Sequence, residues 1–251
     1  MSSPVFHASA DENETGVGRI TLHGDETQDL TKSPWIESWD NILVGDGMGT
    51  KFKATTTSVT PDEIPARIDS RVKLEREVPA LTLVQAGSKL KHMCEAVNRA
   101  AETGTERVVP YMSPRSPTPS SGKPESRMEI CRRIAREVSK VAKRVWHLEV
   151  DEMEEWPPEI SALSHRELNI VLWEEGRLQN LVDALHKRTP ATTGILVGPE
   201  GGFSEVEVQS LKKLGCVKAG MGGLILRIET VGYCAVMLVR HHHGILSPGG
   251  A

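Results

Sequence analysis

The chain has no run of 18 apolar residues, so no membrane-spanning helix is expected. It has only four cysteines, Cys94, Cys131, Cys216 and Cys234, widely spaced and with no C-x-x-C pair. Free thiols in a reducing cytosol fit that usage better than a disulfide framework. There is no excess of basic charge. The net charge is −4 and the pI near 6.2, so any contact with nucleic acid must come from a local patch. The N-terminal residues lack the apolar core of a secretory signal and the arginines of a transit peptide, and residues 1–16 read as a polar, disordered tail. A cytoplasmic protein is the expectation. No internal repeat is evident.

What is present is enough for one large or two small domains: 251 residues, 38% of them hydrophobic. Residues 17–78 read as short strands and turns, with strand candidates at 20–22, 41–44 and 52–59. Gly-Asp-Gly-Met-Gly at 45–49 superficially resembles a dinucleotide loop. It is followed by an alternating strand pattern rather than a helix, so it reads as a hairpin turn. Residues 79–246 alternate between strand and helix, and 247–251 form a short tail. Strands are expected at 80–84, 107–109, 145–150, 168–172 and 195–197. Helices are expected from a Ser88 cap to Gly104, and over 125–144, 177–186, 204–214 and 229–242. Residues 112–124 are rich in Pro and Ser and read as a loop. This order predicts an α/β fold with a parallel sheet covered by helices, preceded by a small β-rich domain.

Two runs stand out within the α/β part. Gly-Ile-Leu-Val-Gly-Pro-Glu-Gly-Gly-Phe-Ser at 194–204 and Gly-Gly-Leu-Ile-Leu-Arg-Ile-Glu-Thr at 222–230 each read as a strand or loop leading into a helix. Ligands bind where such loops meet at the carboxyl ends of parallel strands, and glycine lets the backbone approach them. The first run lacks the Lys-Ser/Thr ending of a phosphate-cradling loop and the G-x-G-x-x-G of a dinucleotide fold. Ser204 and Glu207 also form a capping box, so part of the run serves the next helix.

With these residues in hand, the sequence resembles the RsmE family of SPOUT-class RNA methyltransferases. That family carries Gly-Pro-Glu-Gly-Gly-Phe-Ser with a following helical glutamate, matched here by 198–204 and Glu207. It also carries Leu-Gly-x-Arg-Ile-Leu-Arg-x-Glu-Thr-Ala, matched by 221–231. Glu102 and Gly104, Val109-Pro110, Arg115-Ser116 and Leu172-Trp-Glu174 match further family elements. Leu224 departs from the pattern, standing where an arginine is expected, as do Val231, the stretch 140–142 and the stretch 28–30.

The resemblance implies transfer of a methyl group from S-adenosylmethionine to N3 of a uridine in small-subunit (16S) ribosomal RNA, by a homodimer. It implies a C-terminal trefoil knot and a PUA-like RNA-binding barrel at 17–78. The cofactor would lie among three loops made by Leu172, Trp173 and Glu174; by Val197, Gly198, Pro199, Glu200 and Gly201; and by Gly220, Met221, Gly222, Leu224, Ile225 and Leu226. The partner would be ribosomal RNA or the small ribosomal subunit, and no metal is needed.

Transfer to N3 requires a proton to leave while negative charge spreads over N3, O2 and O4. Arg227 is the candidate to stabilise that charge, and Glu229 the candidate base or positioning group. Either could instead be structural, with Arg227 pairing with an acid and Glu229 favouring the first turn of the last helix. Arg132, Arg133, Arg136 and Lys140, with Arg115, Lys123 and Arg127 nearby, offer phosphate contacts. An apolar stripe of Ile130, Ile134, Val138, Val141 and Val145 is expected to face the core. The bland reading of those charges is a solvated helix face. The acidic stretch 151–155 reads as a solvated loop, and three consecutive histidines at 241–243 cannot converge on one ion. A protein of the same fold that binds RNA or assists ribosome assembly without catalysis is the alternative in another class.

Overall fold

The computed structural model describes residues 5–7, 10–11, 18–23, 27, 36–117, 124–156, 161–174, 179–186 and 188–246. The stretch 28–30, Lys123 and the start of the helix expected at 177 lie outside them. Contacts divide the chain into two units, Met1–Arg76 with Glu137–His147, and Glu77–Arg136 with Leu148–Ala251.

The first unit is built on six strands: β1 (Val5–His7), β2 (Ala10–Asp11), β3 (Arg19–His23), β4 (Asn41–Gly45), β5 (Thr50–Thr56) and β6 (Glu63–Lys73). They form one sheet in the order β1-β4-β5-β6-β3-β2, antiparallel except for β1 on β4. Period-two alternation turns Ile20, Leu22, Ile42, Val44, Phe52, Ala54, Ile64 and Ala66 into one buried cluster. β4 and β5 make the hairpin expected from the Gly-rich stretch. Gly45 pairs with Lys51, and the Asp46 carboxylate accepts from the Met48 and Thr50 amides at 2.7 and 2.8 Å. Two features differ from expectation. β1 and β2 fall in the stretch read as a tail, where β1 pairs with β4 and β2 with β3. β6 is an 11-residue strand that buries side chains only near its start; past Ile68 every residue is exposed and most are charged or polar, so its pattern reads as polar.

The second unit is an α/β layer. Its strands are β7 (Ala80–Ala86), β8 (Arg107–Met112), β9 (Glu149–Val150), β10 (Glu154–Glu155), β11 (Leu168–Leu172), β12 (Thr192–Val197) and β13 (Val217–Ala219). The order is β10-β8-β7-β12-β11-β13 with β9 also on β8, and every pair is parallel. The middle strands are buried almost end to end, as a sheet covered on both faces requires. The helices are α1 (Leu90–Glu102), α2 (Pro124–Val141, whose last turn groups with the first unit), α3 (Ser161–Ser164), α4 (Leu181–Leu185), α5 (Glu205–Lys213) and α6 (Ile228–His242). α6 packs against α1, β7 and β12. Among the described residues no helix is long and apolar enough to cross a membrane.

Local details depart from the sequence reading for identifiable reasons. Ser88 does not cap α1. The N-cap is Lys89 without a side-chain bond, and the Ser88 carbonyl instead accepts from Arg127 Nη2 at 2.8 Å. On α2 the buried residues are Arg127, Met128, Cys131, Ala135 and Ser139; of the expected stripe Ile130, Ile134 and Val138 are half-buried, Val141 is 84% exposed, and Val145, past the helix end, is buried. The Cys131 thiol meets Cys94 of α1. Burial and that neighbour push the Cys131 thiol up to about 12. All four cysteines are free. The acidic stretch is not merely solvated: Asp151 pairs with Arg107 at 2.7 Å, and Glu154 and Glu155 form β10. β13 is a strand that three residues of weak pattern did not reveal.

Candidate active site

Three adjacent parallel strands, β12, β11 and β13, end on the same edge of the sheet. Their following loops meet there and enclose a cavity of about 300 Å³. Such a crevice beyond the carboxyl ends of parallel strands is where open α/β sheets hold ligands. All the residues expected in the three loops line it except Gly201 and Gly220. Those two are engaged behind the wall. The Gly201 carbonyl accepts from Arg115 Nη1 at 3.1 Å, and Gly220 exchanges backbone bonds with Gln179 and Leu181. The lining also includes Gly202, Phe203, Ile228 and Val231, which the sequence reading missed. Ile228 and Val231 are spaced by three on the first turn of α6, a helical signal that could have found them.

The loop after β12 is shaped by steric contact. A Cβ on Gly198 would lie 2.8 Å from Phe203 Cε2, so only glycine lets the ring fold under the loop. Phe203, Trp156 and Tyr111 form an aromatic row, with centroids 6.3 and 5.6 Å apart. Gly222, at φ +102°, supplies the left-handed turn in the loop after β13. Ser204 caps α5 in a full capping box with Glu207. Glu207 does more than cap. Its Oε1 also accepts from Ser113 Oγ at 3.1 Å, tying the loop after β8 to the start of α5. Trp173 carries Lys218 Nζ over its ring at 4.6 Å.

Tyr111 donates its hydroxyl to the Val197 carbonyl at 3.0 Å at the mouth of β12. Burial, with a smaller effect from the Glu207 charge, holds the phenol well above its ordinary value, so it remains a donor. Removing it strands a buried carbonyl. Tyr111→Phe should lower stability by about 1–3 kcal/mol, read as the denaturant midpoint, with unchanged secondary structure.

Arg227 and Glu229 flank the cavity without lining it. Arg227 is the N-cap residue of α6, its guanidinium is 85% exposed, and Nη1 lies 3.9 Å from Glu229 Oε1. Glu229 is 7% exposed, in the first turn of α6.

The basic residues expected to meet RNA are partly engaged within the protein. Arg132 donates to the Val150 carbonyl at 3.0 Å and pairs with Glu152 at 2.6 Å, Arg136 pairs with Glu129, and Lys140 with Glu137. Arg133 is exposed. Arg127 is 5% exposed and serves the fold through Ser88. Of the C-terminal histidines, His242 Nε2 lies 2.8 Å from the Arg188 carbonyl. Burial, with the His242 charge, holds His243 below the ordinary histidine range. Among the described residues no three His, Cys, Asp or Glu side chains gather as metal ligands would.

A glycine-rich crevice at the edge of a parallel sheet defines a ligand-binding α/β domain, and comparison with known proteins says of which kind. The family described as RNA methyltransferase domain matches residues 75–240, and the chain belongs to it. Among relatives, Ribosomal RNA small subunit methyltransferase E of Bacillus subtilis is 22% identical over 234 residues, covering 90% of this chain and 91% of its own. The protein of the same name from Mesomycoplasma hyopneumoniae is 26% identical over 183 residues, covering 68% of this chain and 74% of its own. The crystal structure of Ribosomal RNA small subunit methyltransferase E from Neisseria gonorrhoeae, bound to S-adenosyl methionine, superposes with a TM-score of 0.81. It is 22% identical and covers 96% of this chain and 98% of that one.

Proposed function

We propose that the chain methylates N3 of a uridine in small-subunit (16S) ribosomal RNA, with S-adenosylmethionine as methyl donor. The observation that carries the reading is the cavity, assembled from the two loops whose residues match the family pattern. The names of the relatives support ribosomal RNA as the substrate. The cavity fits the donor chemically. Leu172, Val197, Phe203 and Leu226 offer apolar surface to a purine, loop backbone lies close by, and Glu174 and Glu200 complement a cationic ligand. When bound, S-adenosylmethionine supplies an electrophilic methyl group on a positively charged sulfur.

The chain's own residues then act on the acceptor. Arg227, exposed at the rim, holds its fork of donors where charge develops on the uracil oxygens. Glu229, buried beside it, positions the guanidinium. Arg115, beside the cavity, and Arg133, with its neighbours Arg132, Arg136 and Lys140 on α2, face RNA phosphate. The first unit is a PUA-like RNA-binding domain, and the C-terminal segment is threaded as a trefoil knot. The family resemblance further supports a cytoplasmic homodimer that needs no metal ion.

The test is direct. Small ribosomal subunits lacking the modification are incubated with the protein and S-adenosylmethionine, and the digested RNA is analysed by mass spectrometry. 3-Methyluridine is the expected product. Cofactor binding without any methylated uridine would overturn the assigned acceptor, and absence of both would favour a non-catalytic RNA-binding role.

A further inference from the structure

Two ionisable side chains are among the residues that line the cavity, Glu174 and Glu200. Glu229 is not among them; it is buried, with Arg227 opposite. Glu200 has a partner that Glu174 lacks among the described contacts: His92 Nδ1 lies 3.2 Å from Glu200 Oε1. His92 comes from the first turn of α1, 108 residues away in the chain, and nothing in the functional reading above uses it. Both groups are accessible, with side-chain exposures of 32% for His92 and 43% for Glu200. An imidazole N–H on a carboxylate orients it.

We infer that Glu200 is the proton acceptor for the uracil N3–H, and that His92 is a positioning residue that aims the carboxylate. This rests on the methyl-transfer reading above and adds the group that reading leaves unassigned. The N3–H proton moves to a Glu200 carboxylate oxygen, and the N3 electron pair forms the new N–C bond. The electron pair of the breaking S–C bond stays on sulfur, so a neutral thioether leaves. The proton then leaves the accessible Glu200 carboxyl for solvent, restoring the carboxylate. The other charged groups facing this loop are Arg115, which donates to the Gly201 carbonyl, and Glu174, whose Oε1 lies 3.3 Å from where a Gly202 Cβ would be.

The full-length protein is assayed as the unaltered chain and as Glu200→Gln, His92→Ala and His92→Asn. Methyl transfer is followed across a pH range, and S-adenosylmethionine affinity by calorimetry. Glu200→Gln should lower kcat at neutral pH by about 100-fold or more, the usual weight of a general base. The deficit should shrink at alkaline pH, where the uracil imide ionises unaided. His92→Ala should lose less, and His92→Asn, which keeps a donor near the Nδ1 position, should recover part of that loss. Cofactor affinity should stay within a few fold in the His92 variants; Glu200→Gln also removes a charge that complements the cationic cofactor, so it is assayed at saturating S-adenosylmethionine, where kcat reports the chemistry. Nitrogen NMR of the ligand-free protein should find the ring proton of His92 on Nδ1, and Glu200→Gln should release that preference. Full activity in Glu200→Gln, a deficit equal at every pH, or a loss explained by weaker cofactor binding would each overturn the inference while leaving the functional reading standing. An unaltered chain that transfers no methyl would overturn both.

Discussion

Arg227→Ala should reduce methyl transfer by about 100- to 1,000-fold, the effect of removing one donor aimed at developing negative charge. Cofactor affinity should stay within a few fold. The two effects separate because of where Arg227 sits. Its backbone, not its side chain, starts α6: the Arg227 carbonyl accepts from the Thr230 and Val231 amides at 2.8 and 2.9 Å. Alanine keeps both bonds. The guanidinium is 85% exposed and its pairing with Glu229 is long, so the pair adds little stability. Truncation therefore removes chemistry rather than structure, and the melting temperature should hardly move. Arg227→Lys should recover only part of the loss, because an ammonium restores the charge but not the planar fork. Single-turnover kinetics with calorimetric cofactor affinities checks this. An Arg227→Ala variant of full activity would remove Arg227 from the chemistry and leave it as a loop residue.

Gly198→Val should be the most damaging single change in the cofactor loop. The first added carbon would meet the Phe203 ring at 2.8 Å, and valine adds two methyls to that carbon. Phe203 cannot retreat freely, since it is 3% exposed and stacked near Trp156. Overpacking of this kind costs about 1–3 kcal/mol. The loop must shift to relieve it, and the same loop forms the cavity wall. Cofactor affinity should fall by more than tenfold with a melting temperature several degrees lower. The double variant Gly198→Val with Phe203→Ala should regain part of the affinity, a coupling expected only if the ring is the obstacle. Unchanged affinity in Gly198→Val would show that the loop backbone does not shape the site.

Much of this architecture was legible in one dimension. The run 168–172 is apolar at every position but Asn169 because β11 is covered on both faces, and a strand so buried writes itself into composition. Ser204 and Glu207 announced the start of α5 because a capping box is a purely local device. The cavity loops were legible for a similar reason. Each lies within a few residues of its strand, so its glycines and acids sit together in the chain.

Other elements left little local trace. β6 carries charge on alternate positions and is held by ladder bonds to β3 and β5, which no side chain records. β13 is three residues long and exists because β11 has a free edge to pair with. On α2, the isoleucine–valine stripe is not the most buried one, because the fold and not the helix's own periodicity decides which face is covered.

The sequence by itself determined the alternation of strand and helix, the parallel sheet that alternation demands, and the two glycine-bearing loops, since propensity, capping and burial pattern act between neighbours in the chain. Only the tertiary structure decided that these loops share one cavity, that Arg227 stands at its rim with Glu229 buried behind, and that His92 meets Glu200 across 108 residues. Such contacts arise from the order and direction of packed strands, which a linear pattern constrains but does not contain.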